Sequence, residues 1–235
     1  MFRERKSMSL KYCCCLFDFD GTIADTGEGI RKSVAYSLNK MKFPMLSESM
    51  LSRFIGPPLH DSYLEYCSMT DEEVEKAIVF YRERYVEIGL YESHLYPGME
   101  ALLRTLHETG AYVAIASAKP QFMLERLAAY YRINGYLDNI VGIGLDRHSA
   151  DKRDLIQRAL KSGLDPQKAC MVGDRCFDIE AARALGIVAL GVNYGYALPG
   201  ELTESGADAV LDSVSDLSHY LLGDVALSEP GQMWP

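Results

Sequence analysis

Two aspartates one residue apart, Asp18 and Asp20, close the apolar run Cys13 to Phe17 and are followed at once by Gly21 and Thr22. Like charges that close repel, so something must make the pair worth keeping. Further along stand Ser117 with Ala118 and Lys119, then Lys152, then Asp174 and Asp178 in the run "GDRCFD". Carboxylates, a hydroxyl and an amine suit phosphoryl transfer from a monoester. The ester is a dianion, so a carboxylate nucleophile can approach only when a divalent cation and fixed donors neutralise it. Oxygen ligands favour a hard ion, and Mg²⁺ uses one or two carboxylates while keeping several waters; Asp18 and Asp174 fit that task. Asp20 could then serve as general acid and base. Ser117 and backbone N–H groups would hold phosphoryl oxygens, Lys152 would supply positive charge, and Gly21 would let the chain turn with its N–H groups toward the ligand.

Each of these residues also has a plainer use. Asp20 could cap a turn, Ser117 could satisfy a backbone group, and Lys152 could pair with Asp151 or Asp154 at the surface. Asp178 near a helix N-terminus gains from the helix dipole without any metal. Lys119 and Arg175 read as solvated charges.

The elements that must position the acidic residues are legible as alternation. Strand candidates are "YCCCLF", "AYVAIA" from Ala111, "NIVGIG" from Asn139, "KACMVG" from Lys168, "IVALGV" from Ile187 and "ADAVL" from Ala207. Helical patterns lie between them. One opens at Pro97 and closes at Gly110, one opens at Pro120, one runs from Asp151 to Gly163, and one stops at Gly186. Strands apolar on both faces that alternate with helices predict an α/β fold with a doubly wound parallel sheet. In such a sheet ligands bind at the carboxyl ends of the strands, where the residues above fall.

Between Asp25 and Leu95 the rhythm changes. No strand pattern stands out, and the stripes Ile30, Val34, Leu38, Met41 and Val74, Ile78, Tyr81, Tyr85, Ile88 predict helices. Thr70 with Glu73 reads as a capping box, and "FIGPPLH" from Phe54 as a break between two shorter helices. The expected organisation is an α/β core over 11–24 and 96–223, an inserted α-helical cap over 25–95, and terminal tails at 1–10 and 224–235. Arg53, Gly56 and His60 in the cap are candidate contacts to a leaving group.

With 33 acidic and 24 basic residues the net charge is −9, which disfavours nucleic acid and anionic lipid as partners. The N-terminal apolar run is too short for a membrane span or a signal peptide. Six cysteines without C-x-x-C spacing read as small apolar residues of a reduced chain. These features predict a cytoplasmic enzyme, monomer or homodimer, acting on a small molecule.

Taken together, "DFDGT" from Asp18, "SAK" from Ser117, Lys152 and "GDRCFD" from Gly173 resemble, in order and approximate spacing, the four motifs of the haloacid dehalogenase-like hydrolase superfamily. The resemblance spans about Tyr12 to Leu222, and the helical block matches that superfamily's helical-cap subclass. "PGMEALLRTLHETG" and "GDRCFDIEAARALGIVALGVNYGY" look like its phosphoglycolate phosphatase and 5'-nucleotidase-like branch. The resemblance implies a Rossmann-like core and a Mg²⁺-dependent phosphatase working through an aspartyl phosphate on a small phosphomonoester. It implies Asp18 as nucleophile and metal ligand, and Asp20 as acid and base with its carbonyl on the metal. Asp174 would be a metal ligand and Asp178 a support of the metal site. Gly21, Thr22, Ser117, Ala118 and Lys152 would surround the phosphate. Ala118 departs from the asparagine common in this branch. A 5'-nucleotidase, a sugar-phosphate phosphatase and a phosphomutase are the chemical alternatives, and a phosphate- or Mg²⁺-sensing binding module is the non-enzymatic one.

Overall fold

Strand β1 (Cys14–Phe17) is buried along its whole length, as an unbroken apolar strand between two helical layers must be. In the computed structural model, residues 10–144 and 151–223 are described; the expected tails at 1–10 and 224–235 lie outside them apart from Leu10. After β1 comes β2 (Ala24–Asp25), which pairs antiparallel with β3 (His94–Leu95) in a two-stranded ribbon. The remaining strands are β4 (Tyr112–Pro120), β5 (Asn139–Ile143), β6 (Ala169–Gly173), β7 (Val188–Val192) and β8 (Ala209–Leu211). With β1 they form one six-stranded sheet in the order β5-β4-β1-β6-β7-β8, every neighbouring pair parallel.

The helices α1 (Gly27–Met41), α2 (Glu48–Ser52), α3 (Leu59–Cys67) and α4 (Asp71–Tyr85) make the inserted cap. Six more flank the sheet: α5 (Met99–Glu108), α6 (Gln121–Tyr130), α7 (Lys152–Ala159), α8 (Cys176–Ala184), α9 (Glu201–Glu204) and α10 (Val214–Leu222). Alternation along β1 sends Cys15 and Phe17 toward α5, α6 and α10, in one core continuous with that of the cap. Cys14 and Leu16 point the other way, toward α7, α8 and Leu202 of α9. Each such large apolar side chain removed from water contributes about 1.5–3 kcal/mol, so the middle of the sheet is its most rigid part.

Three local readings change. The strand expected over Ala111–Ala116 continues to Pro120, with a register shift between Ala116 and Pro120, because Ser117 to Lys119 stay extended beside β5. Ile88 leaves the α4 stripe: the helix ends at Tyr85 and Ile88 is 54% exposed. The cap segment also begins and ends in the two-residue strands β2 and β3, too short for any periodicity to reveal. The capping box holds, with Thr70 Oγ1 accepting from Glu73 N and Glu73 Oε2 accepting from Thr70 N, and "FIGPPLH" does separate α2 from α3. All six cysteines are free thiols. Among the described residues no helix is long and apolar enough to cross a membrane.

Candidate active site

The strand order reverses between β1 and β6, and a crevice opens there at the carboxyl ends of the strands. Asp18 N donates to Val172 O at 2.9 Å, which fixes the residue just past β1 against the end of β6. Asp174 follows β6 immediately, and Asp178 projects from the first turn of α8. Asp18 is 8% exposed, Asp174 fully buried and Asp178 2% exposed, and one carboxylate oxygen from each lies within 4.8 Å of the others. Lys152, the first residue of α7, places Nζ 2.7 Å from Asp18 Oδ1 and 2.6 Å from Asp178 Oδ1. Asp178 Oδ1 and Asp18 Oδ1 thus share a single ammonium.

Burial pushes the Asp174 carboxyl well above the usual range, and repulsion from Asp18 and Asp178 adds to it. Burial raises Asp178 too, against the pull of Lys152. Burial alone would lower Lys152, but its two carboxylates outweigh that and raise it. Three carboxylates around one lysine are therefore short of positive charge. That deficit and the all-oxygen donor set fit a hard divalent cation.

Gly21 turns the chain away with φ +82°, and a Cβ there would lie 2.1 Å from Asp174 Oδ2. Glycine is required both by the left-handed backbone and by the close approach. The N–H groups of Gly21 and Thr22 are bonded inside the turn, to Ala24 O and Phe19 O. Thr22 is buried and donates through Oγ1 to Asp174 Oδ1 at 3.2 Å, so it stands behind the acidic cluster. Tyr196 N donates to Asp174 Oδ2 at 2.8 Å, while the Tyr196 hydroxyl donates to Asp25 Oδ1 and accepts from Gly27 N. One tyrosine thus joins the acidic cluster to the entry of the cap.

Asp20 faces a different set of groups. Its carboxylate accepts from Thr26 Oγ1 at 2.7 Å and from Lys119 Nζ at 2.9 and 3.0 Å. Lys119 Nζ also donates to the hydroxyl of Tyr85, on cap helix α4, at 2.7 Å. Only 6% exposed, Lys119 is not a solvated charge. Ser117, 2% exposed, accepts from Lys119 N at 3.3 Å. Arg175 is paired as well: Nε donates to Glu201 Oε1 at 2.9 Å and Nη1 to Ile55 O at 2.8 Å, tying the core to the break between α2 and α3.

A cleft of about 860 Å³ lies between this edge and the cap. Asp18, Asp20, Ser117, Ala118, Lys152 and Asp178 line its core side, and Gly56 and His60 its cap side. Arg53 is not among the lining residues; its guanidinium lies 5.9 Å from the ring of Tyr66. Gly21, Thr22 and Asp174 sit behind the cleft surface. Sequence reasoning took Lys119 and Arg175 for solvated charges and Tyr85 for a helix-stripe residue, and gave Tyr196 no role. The available signal was position: Lys119 and Arg175 directly follow residues already placed at strand ends.

A parallel sheet with carboxylates and a lysine at its topological switch point, roofed by a helical cap, defines a capped hydrolase. This chain belongs to the haloacid dehalogenase-like hydrolases, whose family model matches residues 15–192. It is 32% identical over 198 residues to a 5'-nucleotidase of Pseudomonas aeruginosa, covering 84% of this chain and 90% of that one. It is 30% identical to the plasmid phosphoglycolate phosphatase of Cupriavidus necator, over 92% of this chain and 95% of the relative. The crystal structure of a predicted phosphatase from Clostridium acetobutylicum superposes with a TM-score of 0.84 at 37% identity, covering 90% and 98% of the two chains.

Proposed function

We propose that the chain is a phosphoric monoester hydrolase, a Mg²⁺-dependent phosphatase that works through an aspartyl phosphate on Asp18. The observation that carries this reading is the placement of Asp18 on the cleft floor, beside Lys152 and within reach of the carboxylates of Asp174 and Asp178. Asp18 attacks phosphorus and the ester P–O bond breaks. Asp20 gives its proton to the departing alkoxide, then takes one from the water that attacks the aspartyl phosphate, and Asp18 is regenerated with release of inorganic phosphate. Thr26 and Lys119 fix the direction of the Asp20 carboxyl for both transfers. Ser117 and Lys152 hold phosphoryl oxygens. Asp18, Asp174 and the backbone carbonyl of Asp20 would hold Mg²⁺, with Asp178 in support; when bound, the ion neutralises phosphoryl charge so that a carboxylate can approach. The cap keeps bulk water away while the phosphoryl group moves.

The names of the relatives support a small phosphomonoester, phosphoglycolate-like, with a 5'-nucleotide or a sugar phosphate as the alternative. A Mg²⁺-supplemented phosphate-release assay across those three classes, ranked by kcat/KM, tests the reading. Asp18→Asn is expected to abolish turnover without loss of the circular dichroism of the fold, and to prevent formation of a phosphoryl adduct on the peptide carrying Asp18. Substantial residual Mg²⁺-dependent turnover in that variant sinks the assignment.

A further inference from the structure

Six basic side chains line the cleft: Lys119, Lys152, Arg153, Arg175, His60 and Arg82. Five of them already face a carboxylate. Lys119 holds Asp20, Lys152 lies between Asp18 and Asp178, Arg153 pairs with Asp151, and Arg175 pairs with Glu201. His60 stands between Asp61 and Asp71. Arg82, half-buried on α4, has no hydrogen bond or ion pair from its guanidinium among the described residues.

Its place in the helix says what it could meet. Arg82 is three residues before Tyr85, about 4.5 Å of helix rise, and both line the cleft. Tyr85 contacts Lys119, which orients Asp20, the group that would protonate the leaving group. A free guanidinium one turn further along the same wall is therefore on the leaving-group side of the reaction. Ile78, Tyr81 and Tyr66 lie on the same wall, with Asp61 and Glu65 also on the cap side of the cleft. Partial burial strengthens an ion pair made there, and the planar fork suits a carboxylate or a phosphate held by two hydrogen bonds.

We propose that Arg82 is a specificity-determining residue, and that it selects phosphomonoesters whose leaving group carries a second anionic group. The inference rests on the phosphatase reading and goes beyond it by separating an anionic leaving group from a neutral one, such as a nucleoside. The carboxylate or phosphate of the substrate becomes the partner that the described residues do not provide.

Three esters of one two-carbon skeleton test it: phosphoglycolate, with a carboxylate; ethylene glycol bisphosphate, with a second phosphate; and ethylene glycol monophosphate, with a neutral hydroxyl. In the unmodified enzyme with Mg²⁺, kcat/KM for at least one anionic ester is expected to exceed that for the neutral one at least tenfold, and the arm that does so names the anion. Arg82→Ala is expected to lower that ratio about tenfold or more, mainly through KM, and Arg82→Lys to restore part of it. Equal kcat/KM for all three esters in the unmodified enzyme overturns the inference and leaves the phosphatase reading standing, whatever the variants do. A ratio that Arg82→Ala leaves unchanged also overturns it. Failure of the unmodified enzyme to release phosphate from any ester, p-nitrophenyl phosphate included, overturns the phosphatase reading itself and this inference with it.

Discussion

The floor of the cleft and its roof are made of different materials. On the floor the charges are buried and close together: Lys152 lies between Asp18 and Asp178, Asp174 stands behind them, and Lys119 grips Asp20. The roof mixes rings and aliphatic groups with dispersed charges: Phe54, Tyr66, Tyr81 and Tyr85 line it beside Ile78 and the prolines Pro57 and Pro58, with His60, Asp61, Glu65 and Arg82 among them. In the floor each group's state depends on its neighbours, so one change disturbs all of them. In the roof the contacts are ring packing, Tyr81 on Tyr85 and Phe54 on Tyr66, rather than linked charges. Substitution on the floor should therefore disturb chemistry, and substitution on the roof the choice of substrate.

The sharpest way to break this contrast is at Gly21. Gly21→Ala would drive a Cβ into Asp174 Oδ2 at a φ of +82°, displacing a carboxylate of the floor. Turnover should fall on the order of 10²-fold or more, with a lower melting temperature; wild-type kcat in this variant would show that the floor tolerates repacking. Next is Lys119→Met, which keeps the aliphatic stem but frees Asp20 and leaves the Tyr85 hydroxyl without its donor. We expect kcat to fall by roughly 10²-fold with a smaller change in KM, measured by steady-state kinetics on one ester.

A smaller effect is expected at the seam. Arg175→Ala removes the hydrogen bond to Ile55 O and the pair with Glu201, so KM should rise about tenfold, more than kcat falls. An equal loss in both would place Arg175 with the floor.

The smallest effect lies wholly within the cap. Arg84 holds Glu92 through two hydrogen bonds of 2.8 and 3.0 Å, Lys32 adds a third contact, and these hold the Glu92 carboxyl below its usual range. A depressed carboxyl stabilises the fold at pH values above the unfolded glutamate pKa of about 4.3; that contribution is lost as pH falls through the lower folded value. Arg84→Ala should therefore cost about 1 kcal/mol at neutral pH and progressively less in acid, read from paired thermal melts. A difference that stays constant with pH would mean that Arg84 acts by packing alone.

Much of the floor was legible in the sequence because its residues are tied to strand ends. Asp18, Ser117 and Asp174 directly follow apolar runs, and Lys152 opens a helix, so the sheet's parallel order brings them to one edge. The roof was not legible in the same way. Lys119 reads as a surface charge until Tyr85, distant in sequence, covers it. Tyr196 reaches Asp174 through a backbone N–H, which no residue type reveals. Ile88 continues the spacing of α4, but the helix stops before reaching it, since nothing in that spacing encodes where the helical hydrogen bonds end. Arg53 and Arg82 are both arginines of the cap, and only the folded arrangement of helices shows that Arg82 is the one lining the cleft.

The two-residue ribbon of β2 and β3 bears on how the chain folds. Strand β1 must find β4, whose first paired residue, Tyr112, lies opposite Cys14, across the whole excursion of the cap. Contacts between residues so distant in sequence are slow to form, because loop closure costs entropy before any contact offsets it. Pairing Ala24 with Leu95 and Asp25 with His94 pinches the excursion at its neck. Once the helices of the cap have packed and the neck has closed, the path from β1 to β4 is shortened to little more than one turn and α5. Formation of the neck should thus set the pace at which the central strands meet, and slow variants of this protein are to be sought there rather than at the acidic edge.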